Sequence, residues 1–425
     1  MDIDLSKLPR HDIFCIDFKS YYASVECVLR GLDPLTTYLV VVGDLSRRGS
    51  VVLAASPPMK RDYGIKTGSR LYEIPQHPKI HVVEARMNTY LDFSMQALRI
   101  LKRYGPIECI SVYSVDEVFF TYDSHRLFGD KWTAARSIQK TIKRELGLPV
   151  AIGIGNNYFQ SKSCLDCLAK HSVETGFIEE VTYETFPQKM WHFPIRESWG
   201  IGRRMERKLN RLGIYTIGDL ANANLSTMKA RFGVIGEQLV LHARGIDCTH
   251  PYYKPVLNHH AIVQKGFGSG ITLLRNYMGS DIITAILDQT EEVAQRAREA
   301  KMAGRTISLA IGYSSDVGGG GFSKSRTIET PTHLTRKIFQ VCKELFFENY
   351  TGLPVRNIYV GLTNLSSDDV VQLDLFEDDT KARQLASTMD EIRKKYGKAS
   401  LFWASSLTGG GTVKDRSGKI GGHKA

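Results

Sequence analysis

Residues 107–122 read IECISVYSVDEVFFTY and residues 11–26 read HDIFCIDFKSYYASVE, and the way these two stretches lie together decides the fold. The first alternates and then turns, as a β-hairpin with Ser114, Val115, Asp116 and Glu117 at or near its tip. The second begins as a buried strand, carries Asp17 at the strand end, and passes into a helix that stops near Gly31. Three carboxylates could converge only if these two strands are neighbours in one sheet, and apolar flanks on both (Ile13, Cys15, Ile16; Val112, Val115, Val118, Phe119) make that pairing reasonable. Charges among such residues are costly unless compensated, and hard divalent cations, which take oxygen ligands, compensate them well. Two such ions would suit phosphoryl or nucleotidyl transfer. By themselves, an Asp-Glu pair also fits a turn and Asp17 a helix cap.

Outward from this pair, residues 38–56 give two short β-branched strands around a turn, and MKRDYGIKTG gives a small basic helix and loop. Leu91, Met95, Leu98 and Leu101 recur at helical spacing and are expected to form a core face. Ala134, Ile138, Ile142 and Leu146 mark another helix, and VAIGIG (150–155) another strand. From about 178 to 250 the pattern is short helices with Gly-containing turns, which predicts a separate helical domain. Residues 259–366 follow the order strand, helix, strand, strand, helix, strand of a ferredoxin-like unit. The tail from 367 is acidic and then Gly- and Lys-rich, and is expected to be unpacked.

The 425 residues carry 56 Lys and Arg against 45 Asp and Glu, a net charge of +11 that suits a polyanionic partner. Seven scattered cysteines, an odd number, fit reduced thiols inside a cell. Cys164 and Cys167 form a lone CxxC with no second pair to complete a zinc site, so two thiols on a helix is the expectation. With no signal-like start and no long apolar run, the protein is expected to be soluble and cytoplasmic.

IDFKSYYASVE (16–26) and YSVDEVFF (113–120) resemble the two metal-binding motifs of Y-family DNA polymerases, particularly the bacterial UmuC branch. The resemblance extends over roughly residues 11–365. It implies an α+β multidomain right-hand polymerase: palm at 1–29 and 78–177, fingers at 30–77, and a helical thumb with a helix-hairpin-helix at 178–250. A linker at 251–258 would lead to a βαββαβ little finger at 259–366, and then to a flexible tail at 367–425.

The implied activity is low-fidelity, template-directed DNA synthesis past lesions, with two Mg²⁺ ions on Asp17, Asp116, Glu117 and the main-chain carbonyl of Phe18. Tyr22 matches the steric gate against a 2′-hydroxyl, with Tyr21 beside it. Arg61 and Lys170 match triphosphate contacts. Many relatives have a tyrosine three residues before that Arg, where this chain has Pro58, so one phosphate contact is absent.

SWGIGRRMERKLNRLGIYTI (198–217) resembles a helix-hairpin-helix, in which Gly200, Gly202, Arg203, Arg204 and Lys208 would hold a DNA phosphate. Lys324 and Arg326 alternate on one strand of the little finger and so share a face, which makes them candidate phosphate contacts. Gln372, Leu373, Asp374, Leu375 and Phe376 resemble the peptide that docks on the bacterial sliding clamp, its β subunit. RecA-like or UmuD-like accessory proteins are further partners the resemblance implies. Two rivals, a metal-dependent phosphodiesterase or cyclase and a non-catalytic DNA-binding protein, leave either the DNA and clamp motifs or the retained carboxylates without a use.

Overall fold

The computed structural model describes residues 4–123, 125–247, 264–368 and 379–425. Two compact units result: one runs through residue 262 and takes in 423–425, the other spans 263–422.

The first unit opens with β1 (Asp12–Phe18) and α1 (Tyr21–Val28). The chain then turns at Gly31, whose φ of +69° favours glycine. β2 (Leu39–Val42), β3 (Val52–Ala55), α2 (Pro57–Tyr63) and β4 (His81–Glu84) follow. β2 pairs with β3 antiparallel and with β4 parallel, around a core of Val40, Val42, Val52, Ala55 and Met59. β4, expected in the palm, therefore belongs to the small finger sheet. Pro57 and Pro58 open α2, where a missing N–H costs nothing.

Next come α3 (Met87–Leu101), β5 (Ile110–Val112), β6 (Glu117–Tyr122), α4 (His125–Phe128), α5 (Lys131–Leu146) and β7 (Val150–Gly155). α6 (Tyr158–Cys164) runs into a π turn at Leu165–Ala169, and β8 (Ile178–Val181) ends the layer. The strand order is β5-β6-β1-β7-β8, so β1, β5, β6 and β7 with their helices make a ferredoxin-like palm. β8 extends that sheet parallel to β7, and the helical region begins only after it, not at 178. The buried face of α3 is Met87, Tyr90, Ser94, Ala97, Ile100 and Leu101, the last of them as expected. Leu91 and Met95, expected in the core, are exposed, because the packed stripe lies one residue earlier at spacings of three and four.

α7 (Phe186–Met190), α8 (Arg203–Asn210), α9 (Ile217–Ala221), α10 (Leu225–Phe232) and α11 (Val234–Ala243) form the helical region expected as the thumb. Phe186, Met190, Leu209, Leu220 and Val240 fill its core together with Phe159 of α6.

The second unit has β9 (Gly266–Tyr277), α12 (Ser280–Glu299), β10 (Met302–Tyr313), β11 (Gly321–Thr332), α13 (Thr335–Asn349) and β12 (Val355–Ser367). This is the βαββαβ order read from the sequence. The strand order is β11-β10-β12-β9, all antiparallel, so its second and fourth strands are central, unlike the palm, which centres its first and third. Ile286, Val293, Ile307, Leu309, Ile338, Phe346, Val360 and Leu362 make the core between the sheet and both helices.

The described residues after 378 correct the expectation of an unpacked tail. α14 (Thr380–Tyr396) and the turns behind it lie against α12. Glu291 of α12 accepts from Arg298 (3.0 Å), Arg393 (2.7 Å) and Trp403 Nε1 (2.7 Å), while Arg298 also holds Asp390 (2.5 Å). Buried Asp288 accepts from Ser406 Oγ (2.5 Å) and from the N–H and hydroxyl of Thr412 (2.7 and 2.9 Å). The basic, polar composition that reads as solvated is complementary to acids on α12, and composition alone does not reveal that match.

Candidate active site

Asp17 stands opposite Glu117 in the β1–β6 ladder, and the Phe18 N–H donates to the Asp116 carbonyl (3.1 Å). Directly paired residues share a face, so both side chains lie on the side of Ile13, Cys15 and Phe119, under α6. On the adjoining β7, Gly153 and Gly155 let α6 come close: a Cβ at Gly153 would sit 2.3 Å from the Ser161 carbonyl oxygen. That approach brings down Lys162, whose Nζ lies 2.7 Å from Glu117 Oε1 and 2.9 Å from Asp166 Oδ2.

The π turn then carries Asp166 and delivers Lys170, whose Nζ is 3.0 Å from Asp17 Oδ2 and 2.9 Å from Asp166 Oδ1. An unbroken chain of charge results: Asp17, Lys170, Asp166, Lys162, Glu117. Asp116, at the hairpin tip, accepts from Ser114 Oγ (2.6 Å). Cys15 Sγ donates to Glu117 (3.2 Å), and burial first, then Glu117, pushes that thiol well up.

Burial pushes Asp17 up to about 6 against the pull of Lys170, with Asp116 and Glu117 adding to the rise. Burial works to lower Lys170 and Lys162, but their acidic partners outweigh it and raise both. Oxygen-only donors of this kind suit a hard divalent cation. Among the described residues no three such side chains close on one point, and the ammonium groups of Lys170 and Lys162 lie against Asp17 and Glu117. The donor set fits a divalent ion that takes over that charge.

Four lysines surround the acids. Lys19 Nζ donates to the Lys170 carbonyl (3.1 Å), and burial lowers it to about 8. Lys60 of α2 donates to Ser20 Oγ (2.9 Å); burial lowers it, with Asp17 pulling the other way. Arg61, the residue expected at the triphosphate, is exposed and paired with its neighbour Asp62 (2.6 Å). Tyr22 lies half-buried within the field of Asp116, and burial first, then that acid, raises its phenol. Tyr21 is core: its hydroxyl donates to the Tyr90 carbonyl (2.6 Å), so it is not a free nucleotide contact.

Lys162, Asp166, Lys60 and Lys19 were not singled out from sequence. Lys162 and Asp166 stand at i and i+4 on a segment running into a matched lysine, a signal that becomes readable only once α6 is known to lie over the carboxylates.

Comparison with known proteins bears on this geometry. The impB/mucB/samB family model matches residues 16–166 and its C-terminal domain residues 264–375. A DNA polymerase-iota thumb-domain model matches 199–247, and the IMS family HHH motif 183–214. UvrX of Bacillus subtilis (strain 168), named for UV-damage repair, is 46% identical over 426 residues, covering 100% of both chains. DNA polymerase IV 2 of the same organism is 37% identical, over 97% of this chain and 98% of its own. The chain belongs to the Y-family DNA polymerases. DNA polymerase IV of Pelotomaculum thermopropionicum, 33% identical over 96% of this chain and 99% of its own, is a further relative. A solved Y-family polymerase chimera, Dbh-Dpo4(243-245)-Dbh, shares the fold at a TM-score of 0.63 and 22% identity, over 85% of this chain and 100% of its own. Divalent metal use is general to this family.

In this Y-family polymerase, Gly200 takes a φ of +91° and Gly202 caps the start of α8, with open space where either Cβ would be. Arg203, Arg204 and Lys208 are exposed along α8, while Leu209 is buried beneath. Lys324 and Arg326 do share a face, but it is the helix side of the sheet. They pair with Leu309 and Ile307, both core, and Arg326 is held by Glu344 (2.5 Å) and Glu348 (2.7 Å) of α13.

The open face carries Thr306, Ser308, Ser323, Ser325 and Thr327, with Tyr359 lying over Gly268 and Gly361. These positions carry hydroxyls and glycines instead of Lys or Arg, so alternating positive charge in the sequence does not mark them. Cys164 is buried and Cys167 partly so; burial pushes Cys167 up to about 12, as for structural thiols. The peptide Gln372–Phe376 lies outside the described residues.

Proposed function

We propose that this Y-family polymerase extends a primer past damaged template by Mg²⁺-dependent nucleotidyl transfer centred on Asp17, Asp116 and Glu117, with the Phe18 carbonyl as a further oxygen ligand. The observation that carries this is the register of Asp17 against Glu117, beside Asp116, with two lysines holding the place of added positive charge. When bound, the ions would activate the primer 3′-hydroxyl and stabilise the leaving pyrophosphate.

The chain's own groups divide the remaining work. Lys170 and Lys60 bear on the triphosphate, with Arg61 free to join only by leaving Asp62. Tyr22, beside Asp116, bears on the sugar as the gate against a 2′-hydroxyl. The hairpin at Gly200 and Gly202 and the basic face of α8 suit a DNA phosphate. The hydroxyl- and glycine-lined sheet face suits close approach of a nucleic-acid backbone better than Lys324 or Arg326. The peptide Gln372-Leu373-Asp374-Leu375-Phe376 is assigned to the sliding clamp on its sequence, and RecA-like or UmuD-like proteins are assigned as accessories on the family resemblance.

The test is primer extension on a template bearing an ultraviolet lesion, with Mg²⁺ and dNTPs. Extension past the lesion is expected; a protein that degrades the primer, or extends it only to the base before the lesion, contradicts the proposal.

A further inference from the structure

Tyr22 does not stand alone. Its ring stacks on Tyr90 of α3 at 4.4 Å between centroids and 13° between planes. Tyr90 is fully buried and fixed at both ends: its carbonyl accepts from Tyr21 (2.6 Å), and its hydroxyl donates to Glu26 Oε1 (2.9 Å). Glu26, also without exposure, is gripped by Arg86 at both oxygens (2.9 and 2.7 Å) and by Arg30 at Oε2. Burial would raise the Glu26 carboxyl, but Arg86, Arg30 and Tyr90 together outweigh it and hold it below the usual range.

Glu26 is buried while its arginines reach solvent, so the carboxylate is held in one orientation by hydrogen bonds to both its oxygens. The aromatic ring it fixes here is the one against which Tyr22 lies. A phenol pivoting about two side-chain torsions discriminates between sugars only if it cannot swing aside, so its support must hold it to about 0.5 Å.

We infer that Tyr90, locked by buried Glu26 and the arginines that hold it, is the positioning residue that keeps Tyr22 in place and sets how strictly ribonucleotides are refused. This rests on the assignment of Tyr22 as the sugar gate. Neither Tyr90 nor Glu26 touches substrate in this account; both act through Tyr22.

The experiment measures kcat/KM for a matched dNTP and its rNTP in single-nucleotide primer extension by the full chain, for wild type, Tyr22→Ala, Tyr90→Leu, Tyr90→Phe, Glu26→Gln and the double variant Tyr22→Ala with Tyr90→Leu. Tyr22→Ala sets the value of an open gate. Tyr90→Leu, which removes the stack, is expected to lower the dNTP:rNTP ratio roughly tenfold toward that value. Tyr90→Phe and Glu26→Gln keep the ring and loosen the lock, and should lower it about threefold. The double variant should match Tyr22→Ala, since the lock has nothing left to hold.

Should Tyr90→Leu fold poorly, the Phe and Gln variants still decide the matter through the ratio. A loss shared equally by dNTP and rNTP, with the ratio unchanged, overturns the inference and leaves Tyr90 a packing residue. An unchanged ratio in Tyr22→Ala itself removes the gate, and the inference falls with it; that failure is distinct because it appears in the Tyr22 single variant.

Discussion

Replacing Lys162 by methionine removes a cation that two acids share while keeping most of its stem. Lys162 and Glu117 side chains are each 8% exposed, and the Nζ lies within 2.9 Å of both Glu117 and Asp166. Removing one partner of a buried pair costs about 3–5 kcal/mol, mostly for the charge left behind. Asp166 retains Lys170 at 2.9 Å, and its own side chain is 35% exposed, so the lower end, about 3 kcal/mol, is the expected loss. For a unit of this size that is roughly a 6–12 °C fall in Tm.

The loss should shrink when a divalent cation takes over the charge. Thermal unfolding in EDTA and in Mg²⁺ would show a gap between wild type and Lys162→Met that narrows as Mg²⁺ rises past its dissociation constant. A gap unchanged by Mg²⁺, or no gap in EDTA, refutes the claim that Lys162 holds the place of a metal charge.

Asp17, raised by burial to about 6 from 3.8, binds more protons folded than unfolded, so metal-free stability should fall as pH rises from about 4 to 6. Asp17→Asn should flatten that slope, read from urea unfolding at several pH values in EDTA; a slope unchanged by the substitution would place the titration elsewhere. Gly153→Ala, whose Cβ would meet the Ser161 carbonyl oxygen at 2.3 Å, should cost at least about 2 kcal/mol and slow primer extension by lifting Lys162 away; an unchanged Tm would show that α6 is not so close. Glu291→Leu removes the carboxylate that Arg298, Arg393 and Trp403 share, leaving Asp390 as the acid both arginines face, and should speed proteolysis between residues 379 and 422, whereas a wild-type digestion pattern would mean that α14 does not depend on Glu291. Arg204→Ala with Lys208→Ala should weaken DNA binding about equally on all sequences and lower the log–log salt slope by roughly 2; an unchanged slope would take α8 off the phosphates.

The carboxylate pair was legible because strand alternation carries register: once β1 and β6 are neighbours, the positions of Asp17 and Glu117 on one face follow from parity. The βαββαβ order was legible for the same reason, from the switch between periods of two and 3.6. What failed was whatever depended on a partner far along the chain. Leu91 and Met95 extend from Leu101 as good an apolar stripe as Met87, Tyr90 and Ala97, and only the packing of α3 chooses between them. Lys324 and Arg326 share a face, but sequence does not say that Leu309 and Ile307 stand beside them on the core side. Lys162 reads as a surface lysine until Gly153 is seen to admit its helix against the sheet. The segment after 378 reads as solvated until Asp288 and Glu291 are found beneath it.

Single-turnover extension of a primed template by Asp116→Asn asks whether Asp17, Asp116 and Glu117 together carry out nucleotidyl transfer. The charge at Asp116 is lost with almost no change in volume, so folding and DNA binding should survive while the rate of dNTP addition in Mg²⁺ falls by roughly a thousandfold or more. Addition at the wild-type rate by a variant that is folded and binds DNA would mean that Asp116 does not take part in the reaction.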